Sequence, residues 1–159
     1  MQARIEKDNL AASALEGTRI YRVALQRYAR AKKDIDLVRA RLDAEPKPKK
    51  GADDPNKPLR DAIDAVQKEV DACDEALFGK KPQQGIALGE GFQHDFFEQM
   101  GRINDTPDAP NETERMAVDR AKLKATEAAA RIDAFLNGPK KTFVEAIEKS
   151  GLAWLQPAK

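Results

Sequence analysis

His94, Asp95 and Glu98 form the one set of potential ligands or acid–base groups in the chain that includes a histidine. His94 is the only histidine, and Glu98 follows it by four residues, so one face of a helix would offer an imidazole and a carboxylate together. Zinc sites draw on more nitrogen or sulfur donors than one imidazole supplies, and the set therefore reads as surface groups. Asp71, Asp74 and Glu75 crowd another short stretch. Glycoside hydrolysis needs two carboxylates fixed across a cleft; carboxylates sharing one helix read instead as solvated partners of a basic helix. The di-iron signature Glu-x-x-His on two helices cannot be assembled from one histidine. Gly85-Ile86-Ala87-Leu88-Gly89-Glu90-Gly91 precedes a helical pattern but lacks the G-x-G-x-x-G order after a strand and the lysine of a phosphate loop, so it reads as a link. Cys73 is the one cysteine, which excludes an internal disulfide. It lies on an apolar stripe, where a thiol behaves as a small buried hydrophobe. Tyr21 and Tyr28 share a stripe with Ala24, which predicts rings packed in a core with hydroxyls at its rim. No catalytic, cofactor-binding or metal-ligating residue is assigned, no cofactor is expected, and the chain reads as a non-enzyme.

The elements that would position these groups are written in three apolar series. Tyr21, Ala24, Tyr28, Ala31, Ile35, Val38 and Leu42 form the first. Leu59, Ile63, Val66, Val70, Cys73 and Leu77 form the second, and Val118, Ala121, Ala125, Ala128, Ile132 and Phe135 the third. Steps of three and four residues place each series on one side of a helix, and each stripe must be buried against another. The expected fold class is all-α: an antiparallel up-down bundle of three main helices, with short helices near 92–103 and 139–150.

Local signals mark the boundaries. Pro46 and Pro48 stop the first helix, and 45–58 reads as a surface loop. Pro58 opens the second helix and Gly79 ends it. Phe92, Phe96, Phe97, Met100 and Ile103 predict a short amphipathic helix that plugs the bundle with aromatic bulk. Asn111 with Glu114 is a capping box for the third main helix, which ends at Asn137-Gly138-Pro139. A last helix buries Phe143 and Ile147 and closes at Gly151, after which Leu152, Trp154 and Leu155 fold back.

The N-terminal stretch allows two readings. Leu10, Ala14 and Gly17 continue the first stripe backward, as one very long helix from about 3 to 45 would require. Ser13-Ala14-Leu15-Glu16 is also a candidate capping box that would start a fresh helix. We divide the chain into an extension over 1–17, placed to join an upstream domain, and a bundle domain over 18–159. No start signal precedes Ile5, as in a helix cut from a longer protein, and Ile5, Leu10 and Leu15 are the candidate interaction residues.

Charge restricts the function classes. The net charge is +1, so no global field favours nucleic acid or an anionic membrane. Residues 19–50 hold 11 Lys/Arg against 4 Asp/Glu, whereas residues 51–78 hold 3 against 8. A basic helix followed by an acidic one predicts pairing between sequence neighbours. No apolar run reaches the roughly 20 residues of a membrane span.

Four stretches carry a resemblance to a known family: Arg39-Ala40-Arg41-Leu42, Glu75-Ala76-Leu77-Phe78, Asp105-Thr106-Pro107-Asp108-Ala109-Pro110 leading into Asn111-Glu112-Thr113-Glu114-Arg115, and the closing Phe143 to Leu152. Over about 20–155 the chain resembles the helical C-terminal region of bacterial sortilin-like proteins, the Asp-box (BNR-repeat) β-propeller proteins often labelled glycosyl hydrolases. The resemblance implies an accessory tail of a secreted or periplasmic protein, with Met1 an artificial start. Any hydrolytic site would belong to the propeller, because this chain contains no Asp-box. The expected function is a non-catalytic helical module that packs on a neighbouring domain or forms a homo-oligomer. The alternatives are a free-standing adaptor holding a partner helix in a groove and, further off, a nucleic-acid-binding bundle.

Overall fold

A computed structural model describes residues 1–45, 54, 56–80, 91–101 and 108–151. Within them the chain is all-α, an up-down bundle of three main helices and two short ones: α1 Gln2–Ala44, α2 Lys57–Phe78, α3 Phe92–Met100, α4 Glu112–Asn137 and α5 Pro139–Lys149. Every residue of the three apolar series is buried. The expected fold-back of Leu152, Trp154 and Leu155, the link over 85–90, and Ile103 lie outside the described residues.

Two compact units divide the helices between them. The first comprises Met1–Leu25 with Cys73–Ile132, the second Gln26–Ala72 with Asp133–Lys159. The core of the first is lined by small residues, Ala14 and Ala24 on α1 and Ala117, Ala121, Ala125 and Ala128 on α4, around Tyr21, Leu77 and Phe96. The core of the second is built from larger side chains: Tyr28, Ile35, Val38, Leu42, Leu59, Ile63, Val66, Val70, Phe135, Phe143 and Ile147.

Close helix approach in the first unit explains why α1 does not break at Gly17. A Cβ there would stand 3.1 Å from Lys122 Cγ, so glycine admits α4, and packing offsets the roughly 1 kcal/mol that glycine costs a helix. The Ser13–Glu16 box is consequently unused as a start: α1 runs through it, and Glu16 turns to Arg19 at 2.8 Å. Ala14, Gly17 and Tyr21 are buried alike, within one unit.

The caps follow local chemistry. At Asn111, Oδ1 accepts from the Glu114 amide and the Asn111 amide donates to Glu114 Oε2, both at 2.9 Å, a reciprocal capping box. Gly79, at φ 83°, ends α2 with its amide on the Glu75 carbonyl. Gly91 precedes α3 at φ 122°, where a Cβ would lie 2.5 Å from the Gly79 amide nitrogen, so only glycine fits. The Gly138 and Thr142 amides bond the Ala134 and Gly138 carbonyls, so the ladder bridges from α4 to α5 despite Pro139.

Directions follow from the cross-helix bonds. In the first unit Glu6 and Lys7 of α1 meet Arg115 and Glu114 of α4, N-terminal turn to N-terminal turn, so these helices run parallel. In the second unit Arg27 meets Asp133 and Asp34 meets Lys140, again parallel, whereas Tyr28 meets Val70 and Asp43 meets Arg60, so α2 runs antiparallel to α1. These ion pairs join charges of α1 to α4 and α5 as well as to α2. Basic and acidic groups of α1 are matched to α4 and α5, which run alongside in step. The α1–α2 pair Asp43–Arg60 has its polarity reversed from a basic α1 against an acidic α2.

Candidate interaction surface

The groups that could have carried chemistry are dispersed. His94 and Glu98 are exposed on α3, while Asp95 reaches Lys124 of α4 at 3.6 Å. Lys124 also pairs with Glu127 at 3.2 Å and stands 5.5 Å above the Phe92 ring. Its pKa is held above the usual lysine value, chiefly by the hydrogen bond to Glu127. Asp95 is thus bound to α4 rather than aimed with His94 at a common point. No group of three or more His, Cys, Asp or Glu able to hold a metal occurs among the described residues. Asp71 and Glu75 are exposed on α2, with Asp71 accepting from Gln67. Cys73 is a buried thiol, outside any disulfide.

An open groove of about 220 Å³ is lined by Arg39, Leu42, Asp43, Arg60, Ile63 and Asp64. Arg60 is already occupied by Asp54 at 3.1 Å, Asp43 at 3.4 Å and the Leu42 carbonyl at 3.3 Å. Charged walls of both signs and this small volume do not make the apolar trough that a docked helix requires.

The tyrosines correct the sequence reading, for neither hydroxyl lies at a rim. Tyr28 is buried and its hydroxyl donates to the Val70 carbonyl at 3.0 Å, with Phe135 edge-on at 5.5 Å. The Tyr21 ring stacks on Phe96 at 5.0 Å, and its buried hydroxyl has no hydrogen-bond partner among the described residues. Burial pushes the Tyr21 pKa up to about 12, because the phenolate would be stranded away from water. The aromatic plug is also smaller than expected. Phe96 enters the core, Phe92 is half-buried, and Phe97 remains exposed.

The N-terminal turns of α1 differ in kind from the rest of the helix. Beyond Tyr21 the inward positions are apolar and buried, but at Lys7 the inward position is a cation. Lys7 Nζ contacts Glu114 Oε1 at 2.8 Å, and Glu114 is 2% exposed. Beside it, Arg115 pairs with Glu6 at 2.7 Å. This end of α1 is therefore held to α4 by ion pairs, and its larger apolar residues turn outward. Ile5 is 54% exposed and Leu15 70% exposed, while Leu10 is half-buried. Exposed Met1 and Ala12 share their side of the helix.

No protein-family model matches the chain, and no curated protein or solved structure gives a significant match. Among the described residues no helix is long and apolar enough to cross a membrane.

Proposed function

We propose that the chain is a non-catalytic helical interaction module whose contact element is the N-terminal end of α1. The observation that carries this reading is the outward placement of Ile5 and Leu15 on a helix whose inward contacts there include an ion pair. Large aliphatic side chains gain about 1.5–3 kcal/mol each when covered. A second body laid along this face would realise that gain without disturbing the core. The resemblance to the helical C-terminal region of sortilin-like Asp-box proteins supports the same reading and supplies a setting, an accessory tail packed on a neighbouring domain of a secreted protein. Any hydrolase activity would then reside in that neighbour.

Hydrogen exchange tests the proposal. Amides 2–16 are compared in this chain at low and high concentration and in the product of the complete open reading frame that encodes it. Coverage slows exchange in at least one of the latter two. The I5S/L15S double variant abolishes that slowing while shifting stability by no more than about 0.5 kcal/mol, as befits exposed positions. Equal exchange in all three samples, or a double variant that unfolds, overturns the proposal.

A further inference from the structure

We infer that the outward face of α1 beyond Leu15 docks on an anionic lipid bilayer. The inference is independent of whether a protein covers the first turns of the helix. Arg19, Arg22, Arg30, Lys33 and Arg41 are all exposed. Helical spacing gathers them within an arc of about 100°, opposite the buried line through Tyr21, Tyr28 and Ile35. From Thr18 to Ala44 no carboxylate enters that arc. Asp34 and Asp43 turn to Lys140 and Arg60, and Asp36 lies beyond its edge. Arg22, Arg30 and Lys33 make no ion pair among the described residues, so their charge stands uncancelled.

The net charge of +1 does not describe this stripe. At physiological salt a charge is screened beyond about 8 Å, which is about one interhelical distance, so carboxylates on the far side of a bundle do not reach it. Two features favour a bilayer over nucleic acid as the anionic partner. The five cations follow one straight rod for about 33 Å, and a plane meets such a line along its whole length, whereas a duplex curves away from it. Val23 and Leu37, 48% and 47% exposed, lie in the same arc among the cations. The boundary between headgroups and acyl chains accepts aliphatic side chains flanked by Lys and Arg; binding to a phosphate backbone draws on the cations alone. Each Lys or Arg that reaches an anionic membrane tightens binding about fivefold.

Co-sedimentation tests this with vesicles of phosphatidylcholine alone and with about 30% phosphatidylserine added. The chain sediments with the anionic vesicles and not the neutral ones, and salt releases it. R22E/R30E/K33E weakens binding about a hundredfold. K57E/K68E/R120E makes the same change in net charge at exposed sites on α2 and α4, and stays within about tenfold of wild type. V23S/L37S weakens binding about threefold and keeps the salt dependence. A second readout retains every cation of the stripe: an environment-sensitive dye on V23C shifts to the blue with anionic vesicles, and the same dye on K68C does not, with buried Cys73 as the common background. No sedimentation at low salt, equal binding to neutral vesicles, or equal losses from the two triple variants overturns the inference, as does a dye on V23C that stays unshifted. Tighter binding to a duplex oligonucleotide than to anionic vesicles, unchanged by V23S/L37S, also overturns it and makes the stripe a phosphate-backbone surface.

Discussion

Two tyrosines on the same stripe, one heptad apart, hold their hydroxyls in opposite circumstances. The Tyr28 hydroxyl donates to the Val70 carbonyl, whereas the Tyr21 hydroxyl is buried with no partner among the described residues. A buried polar group without a partner costs roughly 1–3 kcal/mol, and a buried hydrogen bond contributes roughly 1 kcal/mol. Tyr28→Phe should therefore destabilise the fold by about 1 kcal/mol, while Tyr21→Phe stabilises it by about the same amount; urea midpoints of the two variants check this. Alkali supplies an independent readout. Unfolded, Tyr21 ionises near 10, and folded near 12. Between those values the unfolded chain binds fewer protons, so raising the pH favours unfolding. Wild type should lose up to about 2 kcal/mol more than the Tyr21→Phe variant between pH 10 and 12, measured as the divergence of their denaturation curves. The spacing in sequence placed both rings in the core. It could not tell the two hydroxyls apart, since a partner for each depends on which backbone carbonyl lies across the seam.

At the scale of the element, the first turns of α1 are an appendage clipped by charge. Lys7 occupies an inward position and is matched by Glu114, whose carboxylate also completes the cap of α4. Glu114→Gln can keep its one amide oxygen for the Asn111 amide, but it then turns an NH2 donor toward the Lys7 ammonium, so both the charge and the hydrogen bond at Oε1 are lost. We expect a loss of about 1 kcal/mol, below the figure for a fully buried pair because Lys7 is partly solvated. Hydrogen exchange should show the loosening confined to residues 2–8, with α5 unaffected. The capping box itself was legible in sequence because it spans four residues, as was the positive-φ glycine that ends α2. The Lys7–Glu114 bond was not, since it joins residues 107 apart in the chain. The Ser13–Glu16 box shows the converse. A local signal for a helix start was overridden by packing that needed Gly17 within a continuous helix.

For the molecule as a whole, the two units draw on different core materials. One is lined by alanine, so its helices must come close, and the other is filled by larger aliphatic and aromatic side chains. Alanine seams tolerate enlargement poorly, because no space remains for added methylene groups. Ala125→Leu should cost about 1–3 kcal/mol by overpacking, checked by thermal unfolding against wild type. The candidate contact face belongs to this scale too. Ile5, Leu10 and Leu15 were singled out in sequence for lacking an evident partner. The fold separates them, leaving Ile5 and Leu15 outside and half-burying Leu10.

Helix positions, their buried stripes and most of their ends were determined by the sequence alone, because periodicity and capping are short-range properties of a few consecutive residues. Tertiary structure alone decided that charges of α1 answer to α4 and α5, and that Phe96 enters the core while Phe97 does not. It also decided that one tyrosine hydroxyl finds a carbonyl and the other finds no partner among the described residues. Each of these outcomes depends on the register between segments far apart in the chain, which no local pattern encodes.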